Sequence, residues 1–272
     1  MKQLAAAVLA LSALQALPAL AQSSAPSKTE IAGRINGMYP WLDAVYKDLH
    51  AHPEIAFQEV RTAGKLAGEM RKLGFQVTEK VGKTGVVAVY KNGAGPTVLV
   101  RTELDGLPME EKTGLPYASR AKATSDGRES FVTHSCGHDI HMASWLGTAR
   151  TLVELKSQWK GTLVFIGQPA EETVSGAKAM LDDGLFTRFP KPDYAFALHS
   201  WPLAHGTVGY NTGAVSSNSD AIEIVFKGRG GHGSAPDKAV DPIAIAARFI
   251  VDVQTVVSVS YTHLTLPTIL LV

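Results

Sequence analysis

The stretch that decides the fold is His134–Glu172, HSCGHDIHMASWLGTARTLVELKSQWKGTLVFIGQPAEE. From His138 to Leu155 it places Met142, Trp145, Leu146, Ala149, Leu152 and Val153 on one face, which predicts a helix. Thr162 to Gly167 follows as a strand. Working outward, Trp41 to His50 and Glu59 to Leu73 carry apolar residues at three- and four-residue spacing and predict two more helices, the second ended by Gly74. Val86 to Tyr90 and Thr97 to Thr102 are β-branched runs around the turn signal Asn92-Gly93-Ala94-Gly95-Pro96, so a hairpin is expected. Ser175 to Leu185 predicts a helix and Tyr194 to His199 a strand. Strands alternating with helices predict an α/β protein, a sandwich around one mixed sheet. The polar stretch Ala214 to Asn218 precedes a further expected strand, Ala221 to Lys227, a Gly-rich loop and a helix from Pro242 to Val253. This reads as the opening of a second, smaller domain.

His134 to His141 packs the only cysteine, three of the nine histidines and an acid into eight residues. Thiolate, imidazole and carboxylate are the side chains that bind zinc and similar ions. Each candidate ligand falls at the C-terminal end of a strand or the start of a helix, where ligands collect in open α/β sheets. Cys136 and His138 precede a helix, Glu171 and Glu172 follow a strand, and His199 ends another. Adjacent glutamates off a strand end point in different directions, so one can bind metal while the other takes a proton from water and delivers it to the leaving amine. The alternative for this pair is two solvated acids at a helix N-terminus. His141 is either a partner behind the ligands or a packing residue, and His134 is read as a loop residue. His50, His52 and Glu54 are read as a structural helix end.

The formal net charge of +1 points to neither a nucleic-acid nor a membrane partner. At the N-terminus Lys2, the Ala- and Leu-rich run Leu4 to Leu20 and the Ala19-Leu20-Ala21 cleavage pattern predict a signal peptide over residues 1–21; the competing reading is a membrane anchor. The mature protein is expected to be soluble and exported, periplasmic or secreted. A lone cysteine in an oxidising compartment has no internal disulfide partner, which favours a ligand role for Cys136.

These residues resemble the amidohydrolase branch of the aminoacylase and carboxypeptidase metallopeptidases, the group of hippurate hydrolase and indole-acetyl-amino-acid hydrolases. The resemblance runs from about Tyr39 to Ser258. It rests on Leu49 to Glu54, Arg101 to Pro108, His134 to His141, Gln168 to Glu172, Leu198 to Pro202, Gly230-Gly231-His232 and Asp241-Pro242-Ile243. It implies an α/β/α di-metal exopeptidase-like catalytic domain over 22–214, with an inserted α+β lid and dimerisation domain begun at 215–258. It implies two divalent metals, zinc or else manganese, cobalt or nickel. By motif, Cys136, His138, Glu172 and His199 match metal ligands and Glu171 the general acid/base. His232 matches the histidine that stabilises the oxyanion or holds the substrate carboxylate, and in relatives it can reach the partner subunit of a homodimer. The implied activity is hydrolysis of N-acyl amino acids or similar small amides. A metallo-carboxypeptidase or dipeptidase, or an inactive metal-binding fragment, is the alternative.

Two departures stand out. The family pattern Arg-x-Asp-x-Asp-x-Leu-Pro has Glu103 in place of its first acid, while Asp105, read either as orienting a ligand or as a structural strand-end acid, and Pro108 remain. Pro236-Asp237 stands where Pro-His is usual. The lid is expected to be incomplete, with a final ligand histidine missing, and residues 259–272 are expected to be a non-native tail.

Overall fold

The structure, a computed structural model, describes residues 25–125, 127–213 and 222–255. The expected signal peptide, the domain boundary at 214–215 and the tail at 259–272 lie outside them. The chain divides into two compact units, Met1–Pro202 and Leu203–Val272.

The first unit opens with α1 (Lys28–Ala51), capped by Ser27, whose hydroxyl accepts from Glu30 N. There follow α2 (Val60–Lys72), β1 (Gln76–Val81), β2 (Gly85–Asn92), β3 (Thr97–Glu103), a small hairpin of β4 (Lys122–Ser125) and β5 (Arg128–Phe131), and α3 (His138–Glu154). It continues through β6 (Gly161–Gln168), α4 (Gly176–Asp182), α5 (Leu185–Arg188) and β7 (Tyr194–Ala197). Five strands form one sheet in the order β1-β2-β6-β3-β7. The β1–β2 and β2–β6 pairs are antiparallel; β6–β3 and β3–β7 are parallel. The fold is therefore mixed α/β, as the alternating pattern predicts.

The expected β2–β3 hairpin does not form, because β6 lies between the two strands. Its run Leu163–Ile166 is buried on both faces and takes the centre of the sheet. The four linking residues 93–96 reach roughly 13 Å when extended, more than the ~10 Å between strands separated by one other. A local turn signal therefore cannot distinguish the two arrangements. The helix expected over Ser175–Leu185 is two helices, interrupted at Gly184 with φ +83°.

Alternation along the strands builds two cores. Val86, Ala88, Leu163 and Phe165 face Leu66 and Met70 of α2 and Met142 and Leu146 of α3. Val87, Leu99, Val164 and Ile166 face Met180 of α4 and Leu185 of α5. The strand period of two thus sends neighbours to opposite helical layers. Trp145 ties the layers by donating Nε1–H to the Val100 carbonyl of β3, 3.1 Å away.

In the second unit, α6 (Pro242–Val253) starts behind Asp241, which accepts from Ile243 N at 2.8 Å. The expected strand over Ala221–Lys227 is not formed at residues 222–227. An isolated bridge between Arg229 and Val240 is the strand-like pairing that the described residues of this unit show. A β-branched run needs a partner edge to become a strand, and none of these residues supplies one. No helix among the described residues is long and apolar enough to cross a membrane.

Candidate metal centre

β3, β6 and β7 are parallel, so their C-terminal ends lie on one edge of the sheet. That edge brings Asp105, the Glu171–Glu172 turn and His199 together with the N-terminal turn of α3, which carries Cys136 and His138. Gly137 begins α3 with φ +82°.

His138 is fully buried. Its Nδ1 donates to the Asp105 carbonyl at 2.7 Å, so Nε2 is left as a lone-pair acceptor. That Nε2 lies 3.7 Å from Glu171 Oε2 and 3.8 Å from Glu172 Oε1. Both His138 Nε2 and Glu172 Oε1 are buried with no hydrogen-bond partner among the described residues. Cys136 Sγ lies 3.5 Å from His199 Nε2, and His199 Nδ1 donates to the Ser200 carbonyl at 2.7 Å. The ligand atoms of Cys136, His138 and His199 lie within 4.8 Å of one another, as do those of His138, Glu171 and Glu172. His138 belongs to both groups.

Asp105, also fully buried, accepts the Glu171 and Glu172 amides, one on each oxygen, at 3.0 Å. Against the cost of burial, the His138 ring, with Nδ1 3.6 Å from Oδ1, and the hydrogen bonds from these amides hold its carboxyl below the ordinary range. A second acid escapes sequence reasoning. Glu59, with 0% exposure, accepts from Ala170 N at 2.7 Å and from the Thr84 hydroxyl. It braces the start of the turn that carries Glu171 and Glu172, where Ala170 before them takes φ +46° and Val174 after them φ +53°. Nothing in the pattern marks Glu59, because an acid at a helix start is ordinarily explained by the dipole.

His141 is hydrogen-bonded through both nitrogens, Nδ1 to Glu103 Oε2 at 3.0 Å and Nε2 to Ser200 N at 2.7 Å. His134 is buried, and that burial drives it down to about 4 and keeps it neutral. His50 bridges Asp139 and Glu111 at 2.7 and 3.1 Å, away from the ligand atoms. His232 lies in the second unit, exposed, with Nδ1 2.8 Å from the Ser234 hydroxyl.

Burial and the nearby carboxylates of Glu172 and Glu171 push the Cys136 thiol up to about 12. Burial also raises Glu172, against the pull of His138. This surplus of negative charge and unpaired acceptors suits a divalent cation, which reverses the field and stabilises a thiolate. The donor set fits a metal.

Comparison with known proteins agrees with this chemistry. A profile described as peptidase family M20/M25/M40 matches residues 99–266. The hippurate hydrolase of Campylobacter jejuni is 41% identical over 218 residues, 79% of this chain and 54% of that protein. An N-acetylcysteine deacetylase of Bacillus subtilis is 40% identical over 78% of this chain and 54% of its own length. The chain thus spans about half the length of the curated relatives it matches. A Bacillus subtilis structure described as a dinuclear metal-binding peptidase of the M20 family superposes with TM-score 0.54 and 35% identity, over 61% of this chain and 44% of that one.

Proposed function

The chain belongs to peptidase family M20/M25/M40, and from that premise we propose that it comes from a metal-dependent amidohydrolase cleaving N-acyl amino acids or similar small amides. One observation carries the reading: His138 Nε2 and Glu172 Oε1 are buried without a hydrogen-bond partner among the described residues, beside Cys136, His199 and Glu171. In this reading Cys136, His138, Glu172 and His199 hold divalent metal, and the likeness to a dinuclear metal-binding peptidase supports a pair of ions. A thiolate with two imidazoles favours zinc, with cobalt or nickel as substitutes and manganese the poorer match. Bound there, the ions would polarise the amide carbonyl and acidify water.

The chain's own residues do the rest. Glu171 is half-exposed beside His138, free to take a proton from water and return it to the leaving amine. Asp105 and Glu59 fix the backbone that aims it. His232 would stabilise the oxyanion or bind the substrate carboxylate. Export follows from the Leu4 to Ala21 pattern, and cell fractionation of the tagged native gene tests it.

The function is tested by metal analysis of purified chain and by hydrolysis of hippurate, N-acetylcysteine and dipeptides, using the full native gene product for the activity arm. Bound metal should fall in Cys136→Ala and His199→Ala, and activity should vanish with chelator and in Glu171→Gln. Turnover that survives both would overturn the mechanism. Cleavage of dipeptides alone would assign the carboxypeptidase or dipeptidase reading.

A further inference from the structure

Glu103 and His141 are 1% and 3% exposed, yet neither has a task in the site as proposed. Both oxygens of Glu103 are engaged, Oε1 by Arg101 and Oε2 by His141 Nδ1 at 3.0 Å. A carboxylate only accepts, so His141 Nδ1 carries the proton and Nε2 is an acceptor. The Ser200 amide donates to that Nε2 at 2.7 Å. The Ser200 carbonyl accepts from His199 Nδ1 at 2.7 Å, leaving His199 Nε2 as an acceptor that faces the Cys136 thiol, with Sγ 3.5 Å away. The Ser200 hydroxyl donates to the Cys136 carbonyl at 3.0 Å. It also packs so closely on Gly137 that a Cβ there would lie 2.5 Å from Ser200 Oγ.

We propose that Glu103, His141 and Ser200 form a hydrogen-bond relay that sets the tautomer and direction of His199 and locks its strand end to the Cys136–His138 turn. Glu103 and His141 are then positioning residues of the metal centre and not ligands. The proposal rests on Cys136, His138 and His199 being ligands. The ligand atoms of Glu103, His138 and His141 also lie within 4.8 Å of one another. A metal there would have to take His141 from Glu103 or from Ser200, stranding a buried carboxylate or a backbone donor. The longer arm of a glutamate at position 103 suits the relay, because it reaches α3 from the end of β3 while still meeting Arg101.

Two measurements test this. Long-range proton–nitrogen NMR of the metal-free chain, with labelled histidines, should show both His141 and His199 protonated at Nδ1. The opposite tautomer at either residue would overturn the relay, whatever the chain does with metal. Cobalt titration should then show His141→Leu binding about 10–100-fold more weakly, with the saturated thiolate-to-cobalt charge-transfer band and the stoichiometry unchanged. His141→Gln, which presents a donor and an acceptor at similar spacing, should recover part of the loss. Affinity within about twofold in His141→Leu, or a changed band or stoichiometry at saturation, would overturn the proposal. If the unaltered chain binds no cobalt, the ligand reading fails, while the tautomers still decide the relay. They also need no variant to fold.

Discussion

Asp105→Asn is the sharpest probe of how the carboxylate turn is held. The wild-type side chain is fully buried and gives one oxygen to each of the Glu171 and Glu172 amides, both at 3.0 Å. An asparagine keeps one acceptor and turns an NH2 toward the other amide. One charge-assisted bond is lost and one buried donor is left unpaired, which should cost about 2–4 kcal/mol. Urea unfolding followed by tryptophan fluorescence measures it. The same loss should reshape the acid limb. Because the folded carboxyl titrates below its ordinary value of 3.8, its stabilisation is present above that pH and fades as pH falls through the lower folded value. The variant should lack that component. Asp43→Asn, which breaks only a surface pair with Lys47, should change stability by less than about 0.5 kcal/mol. If Asp105→Asn proves as mild as this control, the buried carboxylate is not what holds the turn.

Other expectations follow from single contacts. Gly137→Ala forces φ +82° on an alanine and displaces the Ser200 hydroxyl, whereas Gly114→Ala has φ +71° and open space. The first should cost about 2–3 kcal/mol and the second about 1 kcal/mol by equilibrium unfolding. Against the cost of burial, Asp139 and Glu111 hold His50 above its ordinary value of 6.5. Native chain therefore keeps this proton longer than unfolded chain, so unfolding free energy should decline as pH rises past 6.5, and the decline should shrink in His50→Gln. Phe165→Ala, at a fully buried centre strand, should cost about 3–5 kcal/mol; Phe196→Ala, at 61% exposure, should be near neutral in thermal melts.

What the sequence made legible was whatever chemistry concentrates locally. The Cys136–His138 turn, the Glu171–Glu172 pair and the strand leading to His199 are short-range signals, and the structure brings their atoms together. The helix from His138 is equally plain, since its apolar face repeats with the helical period. What stayed hidden is nonlocal. Pairing of β2 and β3 with β6, not with each other, depends on a strand about seventy residues further on. β1 carries a weak signal because Glu79 interrupts the apolar alternation of Val77 and Val81. Glu59 and Glu103 carry no motif of their own, because each acts on a backbone or ring distant in sequence. Glu103 looked like a departure from an expected acid, and only the His141 contact gives it a role.

The central place of β6 bears on how the protein is made. β2 leaves the ribosome about seventy residues before β6, an interval of roughly 4–14 s at ordinary rates of synthesis. Through that interval β2 and β3 both present open edges to whatever nascent chain is near. Yield in the cell should therefore follow translation speed and chaperone supply more closely than final stability. The same strand delivers Glu171 and Glu172 as it fills the gap, so a growing chain acquires these carboxylates only as its sheet closes.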